Sequence, residues 1–160
     1  MPVFDAHAHL GESLVSGRVL TEDDLLSACE KHGVDAALIF PFPLTADYRQ
    51  AHDRIAEFCA RHPGFVGGAS LNPLVGEDAY VREMERCVRD LGFVAHKFHP
   101  LSYAMSPLYA KARIVFSVAY SLGVPVVVHT GRGIPFALPS LCIPRAMEFP
   151  DLPIVLAHAG

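Results

Sequence analysis

The sequence has no apolar run near the ~18 to 20 residues needed to cross a bilayer, and Pro or His interrupts its longest ones. A membrane span is thereby excluded. Nor is there a basic excess: the formal charge is -4, the pI is near 6.1, and Lys and Arg are scattered. This argues against a phosphate backbone as partner, so no nucleic acid is expected. The start Met-Pro-Val-Phe-Asp lacks a basic segment followed by an apolar one, which points to a cytoplasmic protein. C-x-x-C is also missing. Cys29, Cys59, Cys87 and Cys142 stand far apart, so neither a zinc ribbon nor a redox pair is implied, and the four read as reduced core thiols. Finally, no G-x-G-x-x-G follows any apolar run, which removes the usual sign of a dinucleotide-binding sheet.

What is present is a chain of 160 residues, 51% apolar and 19% charged, with a mean hydropathy of +0.29, able to bury one substantial core. Short apolar runs alternate with longer amphipathic segments. Strands are expected at residues 3–9, 35–42, 65–71, 93–99, 124–129 and 154–158, each rich in Val, Ile, Leu, Phe or Ala, as in parallel strands covered on both faces. The first helix starts at Thr21-Glu22-Asp23-Asp24, a pattern close to a capping box, and stops at Gly33. Further helices are expected at 46–62, 77–91, 107–122 and 139–149, the last broken by Pro144.

Six such strands alternating with five helices suit either an open doubly wound sheet or part of a (β/α)8 TIM-type barrel. His or Lys recurs at strand C-terminal ends, where barrel enzymes build their sites, and this favours the barrel. A complete one takes ~250 residues. The fold expected is therefore an α/β barrel, one domain over residues 1–160, truncated after the sixth strand. Strands seven and eight would be missing or supplied by a partner, because the cut leaves a long parallel edge open.

The chemistry concentrates at strand ends. In Phe4-Asp5-Ala6-His7-Ala8-His9, alternation along a strand points His7 and His9 the same way, about 6.5 to 7 Å apart along the backbone, so both can reach one ion. Val126-Val127-Val128-His129-Thr130-Gly131 ends a buried strand in an imidazole and a glycine turn. Ile154-Val155-Leu156-Ala157-His158-Ala159-Gly160 repeats that pattern one unit later. A barrel gathers those strand ends at one mouth. Lys97 ends strand four with the parity of His99, whereas His96 has the opposite parity and should face the helices. His32, His52 and His62 fall on helices and are read as surface residues. Arg132 lies in the strand-five loop, where a guanidinium could pair with a substrate carboxylate; Arg145 is a weaker version of the same idea.

These stretches resemble the amidohydrolase superfamily, and within it the amidohydrolase-related branch. The resemblance rests on D-A-H-A-H-L at Asp5 to Leu10, K-F-H-P at Lys97 to Pro100, V-V-V-H-T-G at Val126 to Gly131, and F-P-D-L-P-I-V-L-A-H-A-G at Phe149 to Gly160. It implies metal ligands at His7, His9 and His129, and a catalytic His158 that binds or steers water. It further implies an Asp at the end of strand eight, which is not among these residues. Lys97 would be either a carbamylated bridge between two metals or an amine lining the site, and His99 and Arg132 would bind substrate. Zn2+ suits such donors first, and Mn2+, Fe2+ or Co2+ also fit.

The activity expected from the resemblance is hydrolysis: a metal-activated water attacking an amide, lactone or similar carbonyl of a small-molecule substrate. Nonoxidative decarboxylation of an aromatic or unsaturated acid is the alternative. A noncatalytic metal-binding barrel fragment is a third reading, and a homo-oligomer stays open.

Overall fold

The computed structural model describes residues 1–131 and 134–158 of the protein. Its elements run β1 (Phe4–Glu12), β2 (Val19–Leu20), α1 (Glu22–His32), β3 (Ala36–Pro41), α2 (Tyr48–Arg61), β4 (Phe65–Ser70), α3 (Glu77–Arg89), β5 (Ala95–Phe98), α4 (Pro100–Tyr103), α5 (Arg113–Leu122), β6 (Val126–His129), α6 (Ile143–Glu148) and β7 (Ile154–Ala157). Among the described residues no helix is long and apolar enough to cross a membrane.

The sheet order is β2-β1-β3-β4-β5-β6-β7. Every pair from β1 to β7 is parallel, and only β2 runs antiparallel, against Gly11 and Glu12. Each new parallel strand is added beside the previous one and the order never reverses. A doubly wound sheet has a reversal point, so this winding is that of a (β/α)8 barrel, with six of its parallel strands present.

Local sequence explains the elements. Thr21 Oγ1 accepts the Asp24 backbone N–H at 3.1 Å while the Asp24 carboxylate accepts the Thr21 N–H at 3.0 Å, and Gly33 closes α1 with φ 66°. That φ favours glycine because a Cβ would crowd the following carbonyl. α5 begins at Arg113, later than the expected residue 107. The Arg145 guanidinium takes the carbonyls of Pro107 and Tyr109, at 2.9 and 3.0 Å, which holds this stretch outside the helix. Arg145 is thus structural here. β2 and α4 are additions to the expected pattern.

Alternation divides the core into two layers. Ile39, Ala69, Phe98, Val126 and Val128 face outward against Ile55, Phe58, Tyr80, Met84 and Phe116 of the helices. Leu38, Phe40, Ala95, Val127 and Ala157 face inward. β1 and β7 are the outermost parallel strands, β2 covering only the Gly11–Glu12 end of β1, and Phe4 and Val155 are exposed there.

Candidate metal centre

The inward direction of His7 and His9 depends on an irregularity in β1. Phe4 pairs with Ala36 and Asp5 with Ala37, but Ala8 pairs with Ile39 and His9 with Phe40, so one extra residue lies between Asp5 and Ala8. Without it Ala8 would stand opposite inward-facing Phe40, and His9 would point at the helices. The bulge re-aims the strand end. It also frees a backbone N–H, and the Asp5 carboxylate accepts it from His7 at 2.9 Å.

Five imidazoles then meet at the C-terminal ends of the strands. The His7 ring lies 4.8 Å from His9 and 5.2 Å from His158; His158 lies 5.0 Å from His129, which stacks on His99 at 4.0 Å. His7 and His9 therefore touch directly, and His129 joins them through His158. Thr130 pins the last two strand ends together, its Oγ1 donating to the Ala157 carbonyl at 2.6 Å and its N–H to the same oxygen at 3.2 Å. His158 follows at φ 69°, a left-handed conformation uncommon outside glycine and often found at functional positions. Arg132 lies outside the described residues.

Hydrogen bonds fix two tautomers. The Pro41 carbonyl can only accept, so the His9 Nδ1–H donates to it at 3.2 Å and Nε2 keeps its lone pair. This is how a metal-binding imidazole is commonly oriented. His99 is arranged the other way. It caps α4, and its Nδ1 accepts the Ser102 N–H at 3.1 Å, so the neutral ring carries its proton on Nε2 and acts there as a donor.

Burial keeps His7, His9, His99 and His129 uncharged near neutral pH. Burial first, then the charge of Lys97 and the neighbouring imidazoles, pushes His7 down to about 2. Burial and Lys97 take His9 to about 4, against the pull of the Pro41 carbonyl. Burial, with His129 and Lys97 adding to it, holds His99 at about 3, and burial with Lys97 holds His129 at about 4. The Lys97 amine, wholly buried in β5, is lowered by burial to about 7. Neutral imidazoles with free lone pairs are what a divalent cation requires. Two buried atoms in this region, His7 Nε2 and Lys97 Nζ, have no hydrogen-bond partner.

A second polar cluster lies behind β4. Among the described residues, His52, Glu83 and Cys87 are the trio of potential ligands with donor atoms all within 4.8 Å of one another. His52 was expected on the surface, yet it is fully buried on the inner face of α2 with Ile55 and Phe58. Its Nδ1–H donates to Glu83 at 2.8 Å and its Nε2 accepts the Ser70 N–H at 3.1 Å. Arg86 donates to both Glu83 oxygens, at 2.7 and 3.0 Å, and burial raises the Cys87 thiol well above its ordinary value. Both ring nitrogens are engaged and the thiol stays protonated, so this trio clamps α2, α3 and β4 together instead of holding a metal. His96 faces outward as expected and bonds to the Tyr80 hydroxyl.

With this geometry in hand, comparison with known proteins supplies a lineage. A family model described as Amidohydrolase matches residues 4–160. A gamma-resorcylate decarboxylase from Rhizobium radiobacter is 37% identical over 94 residues, 54% of this chain and 28% of its own length. A solved 2,6-dihydroxybenzoate decarboxylase from Rhizobium superposes with a TM-score of 0.73 at 20% identity, covering 97% of this chain and 65% of its own. A 5-carboxyvanillate decarboxylase from Novosphingobium aromaticivorans, solved with manganese and 4-hydroxy-3-methoxy-5-nitrobenzoic acid, has a TM-score of 0.75 at 13% identity, covering 97% and 64%. The chain thus spans about two thirds of these solved structures and aligns to under a third of the curated relative. The expectation of hydrolysis is overturned by the R. radiobacter match, whose named activity is decarboxylation, the alternative drawn from the sequence.

Proposed function

The chain belongs to the amidohydrolase family, and on that premise we propose that it works as a metal-dependent, nonoxidative decarboxylase of an aromatic carboxylic acid. The observation that carries this reading is the pair of orphaned atoms, His7 Nε2 and Lys97 Nζ, buried in the same strand-end site. An acid bound there, with a cation at the imidazoles, answers both: the cation takes the His7 lone pair and an anionic oxygen takes the Lys97 N–H groups.

In this reading His7, His9 and His129 hold one divalent ion. Manganese in the N. aromaticivorans neighbour makes Mn2+ the first ion to test, ahead of the Zn2+ that three imidazoles alone suggest. When bound, such an ion supplies positive charge that holds and polarises anionic oxygens. The remaining work belongs to the chain. Lys97 and the Nε2–H of His99 donate to substrate oxygens and orient the carboxylate. Phe40, buried beneath them, keeps water out. In the reaction the aryl–carboxylate bond breaks, carbon dioxide leaves, and the ring carbon takes one proton. In this reading His158 carries that proton, which its exposure to solvent and its contacts with His7 and His129 support.

The test incubates Mn2+-loaded protein with 2,6-dihydroxybenzoate, using this chain and any longer natural chain that contains it. Carbon dioxide released one for one with loss of the aromatic acid supports the reading. Titratable acid released from esters, lactones or amides without carbon dioxide overturns it.

A further inference from the structure

β4 carries two adjacent glycines on opposite faces. A Cβ built on Gly67 would lie 2.3 Å from the Phe93 ring on the helix side, and one built on Gly68 would lie 2.2 Å from the Phe40 ring on the inner side. Neither has a positive φ, so volume and not backbone freedom demands glycine at both.

What Gly68 makes room for bears on the site. Phe40 is fully buried and stands opposite His9 in the β1–β3 register. Its ring meets the His7 ring at 5.9 Å in an edge arrangement, and Lys97 Nζ lies 6.0 Å from its centroid. His9 is oriented by its bond to the Pro41 carbonyl. Among the described residues the His7 ring makes no hydrogen bond, so the packing of Phe40, His9 and His158 around it sets its direction. Of these three only Phe40 is wholly enclosed by the barrel core.

We propose that Gly68 and Phe40 are a positioning pair for the metal site: the bare backbone at 68 admits the Phe40 ring to the barrel axis, where it fixes the His7 imidazole and closes the space beneath His7 and Lys97. The pair does for His7 by packing what a hydrogen-bonded carbonyl does for His9. This inference rests on the reading of His7 as a metal ligand.

The experiment measures Mn2+ affinity without substrate, from the loss of the free-ion paramagnetic resonance signal. Losing a group that orients a metal ligand typically weakens binding about 10- to 100-fold, so Phe40→Leu should lie near the low end and Gly68→Ala, which drives the ring toward His7, near the high end. The double variant Gly68→Ala/Phe40→Leu should return to the affinity of Phe40→Leu, because the added methyl then has space. Gly67→Ala, an equal clash on the outer face, should lower thermal stability while leaving Mn2+ affinity within about threefold, below the range for an orienting group. Wild-type affinity in Phe40→Leu, or a double variant no better than Gly68→Ala, overturns the proposal. If Gly68→Ala does not fold, Phe40→Leu decides alone. His7→Ala separates the two claims: unchanged Mn2+ binding in that variant removes the ligand reading, whereas lost binding there beside a normal Phe40→Leu removes only the positioning pair.

Discussion

On the helix-facing side of β4, both ring nitrogens of His52 and both oxygens of Glu83 have hydrogen-bond partners, whereas on the barrel side His7 Nε2 and Lys97 Nζ are buried with none. Ser70 lies between the two. Its N–H donates to His52, its register partner is Lys97, and its hydroxyl bonds to Tyr103. Leaving one buried polar atom unsatisfied costs about 1–3 kcal/mol. The closed cluster serves stability, and under the proposed function the two open atoms of its neighbour are the ones that a bound metal and substrate would satisfy. Proximity of ligand-type atoms points to the His52–Glu83–Cys87 cluster, whereas the proposal rests on which buried atoms are left without partners.

The largest effect expected from this contrast is on stability. Glu83→Ala strands buried His52 and the partly buried Arg86, and removing one member of a buried charged network costs about 3–5 kcal/mol. Urea unfolding should show that loss while Mn2+ affinity stays near wild type. The same carboxylate has a pH signature. Burial alone would raise it, but hydrogen bonds from His52 and Arg86 overcome this and hold it at about 2, below the ordinary 4.5. Its contribution is therefore complete above about pH 4.5 and lost as pH falls toward 2. Wild-type stability should drop across that window and Glu83→Ala should drop less; parallel acid profiles would show that Glu83 is not the group responsible.

On the open side the effects should appear in binding and turnover instead. His7→Ala removes a proposed ligand, and because even orienting groups are worth 10- to 100-fold, its Mn2+ affinity should fall by more than about 100-fold. Urea midpoints should barely move. Loss of fold together with metal would erase the distinction between the clusters. His158→Asn should keep its Mn2+ and lose about 10²-fold in turnover, the usual size of a proton-transfer contribution. Turnover and metal content have to be read on the same sample, since parallel loss of both would make His158 a ligand.

The parallel strands are legible in the sequence because each is a short apolar run, four of them lead directly into a histidine, at His9, His99, His129 and His158, and period-two alternation needs no tertiary information. The clamp was also within reach. His52 precedes Ile55 and Phe58 at intervals of three, and Glu83 sits among Tyr80, Met84 and Cys87, so both fall on the apolar stripes of their helices. Reading helix histidines as surface residues overlooked that spacing. α4 and the late start of α5 were not legible, because they depend on His99 capping one and on Arg145 reaching the carbonyls before the other across more than thirty residues of chain. Activity was misjudged for a different reason: hydrolysis and decarboxylation can share one set of metal ligands, so the residues that name the family do not name the reaction.

The bulge in β1 is the least visible feature and yields the smallest expected effect. Strand alternation from Phe4 would direct Ala6 and Ala8 inward, yet the observed register gives that side to His7 and His9. At the bulge itself one side-chain bond is formed, Asp5 Oδ1 accepting the His7 N–H at 2.9 Å on an exposed stretch of strand. Exposure means that water can replace the lost acceptor, so Asp5→Ala should cost only about 1 kcal/mol in global stability. The local consequence should be larger than the global one, because a slip back to regular pairing turns both His7 and His9 toward the helices and takes two proposed ligands from the mouth. Asp5→Ala should therefore lower Mn2+ affinity at nearly constant urea midpoint, and Asp5→Asn, whose amide oxygen can still accept, should restore most of it. Equal affinity in wild type and Asp5→Ala would show that the register of β1 is held by the paired strand and not by this carboxylate, and the aim of the two histidines would then have to be credited to packing against β3 alone.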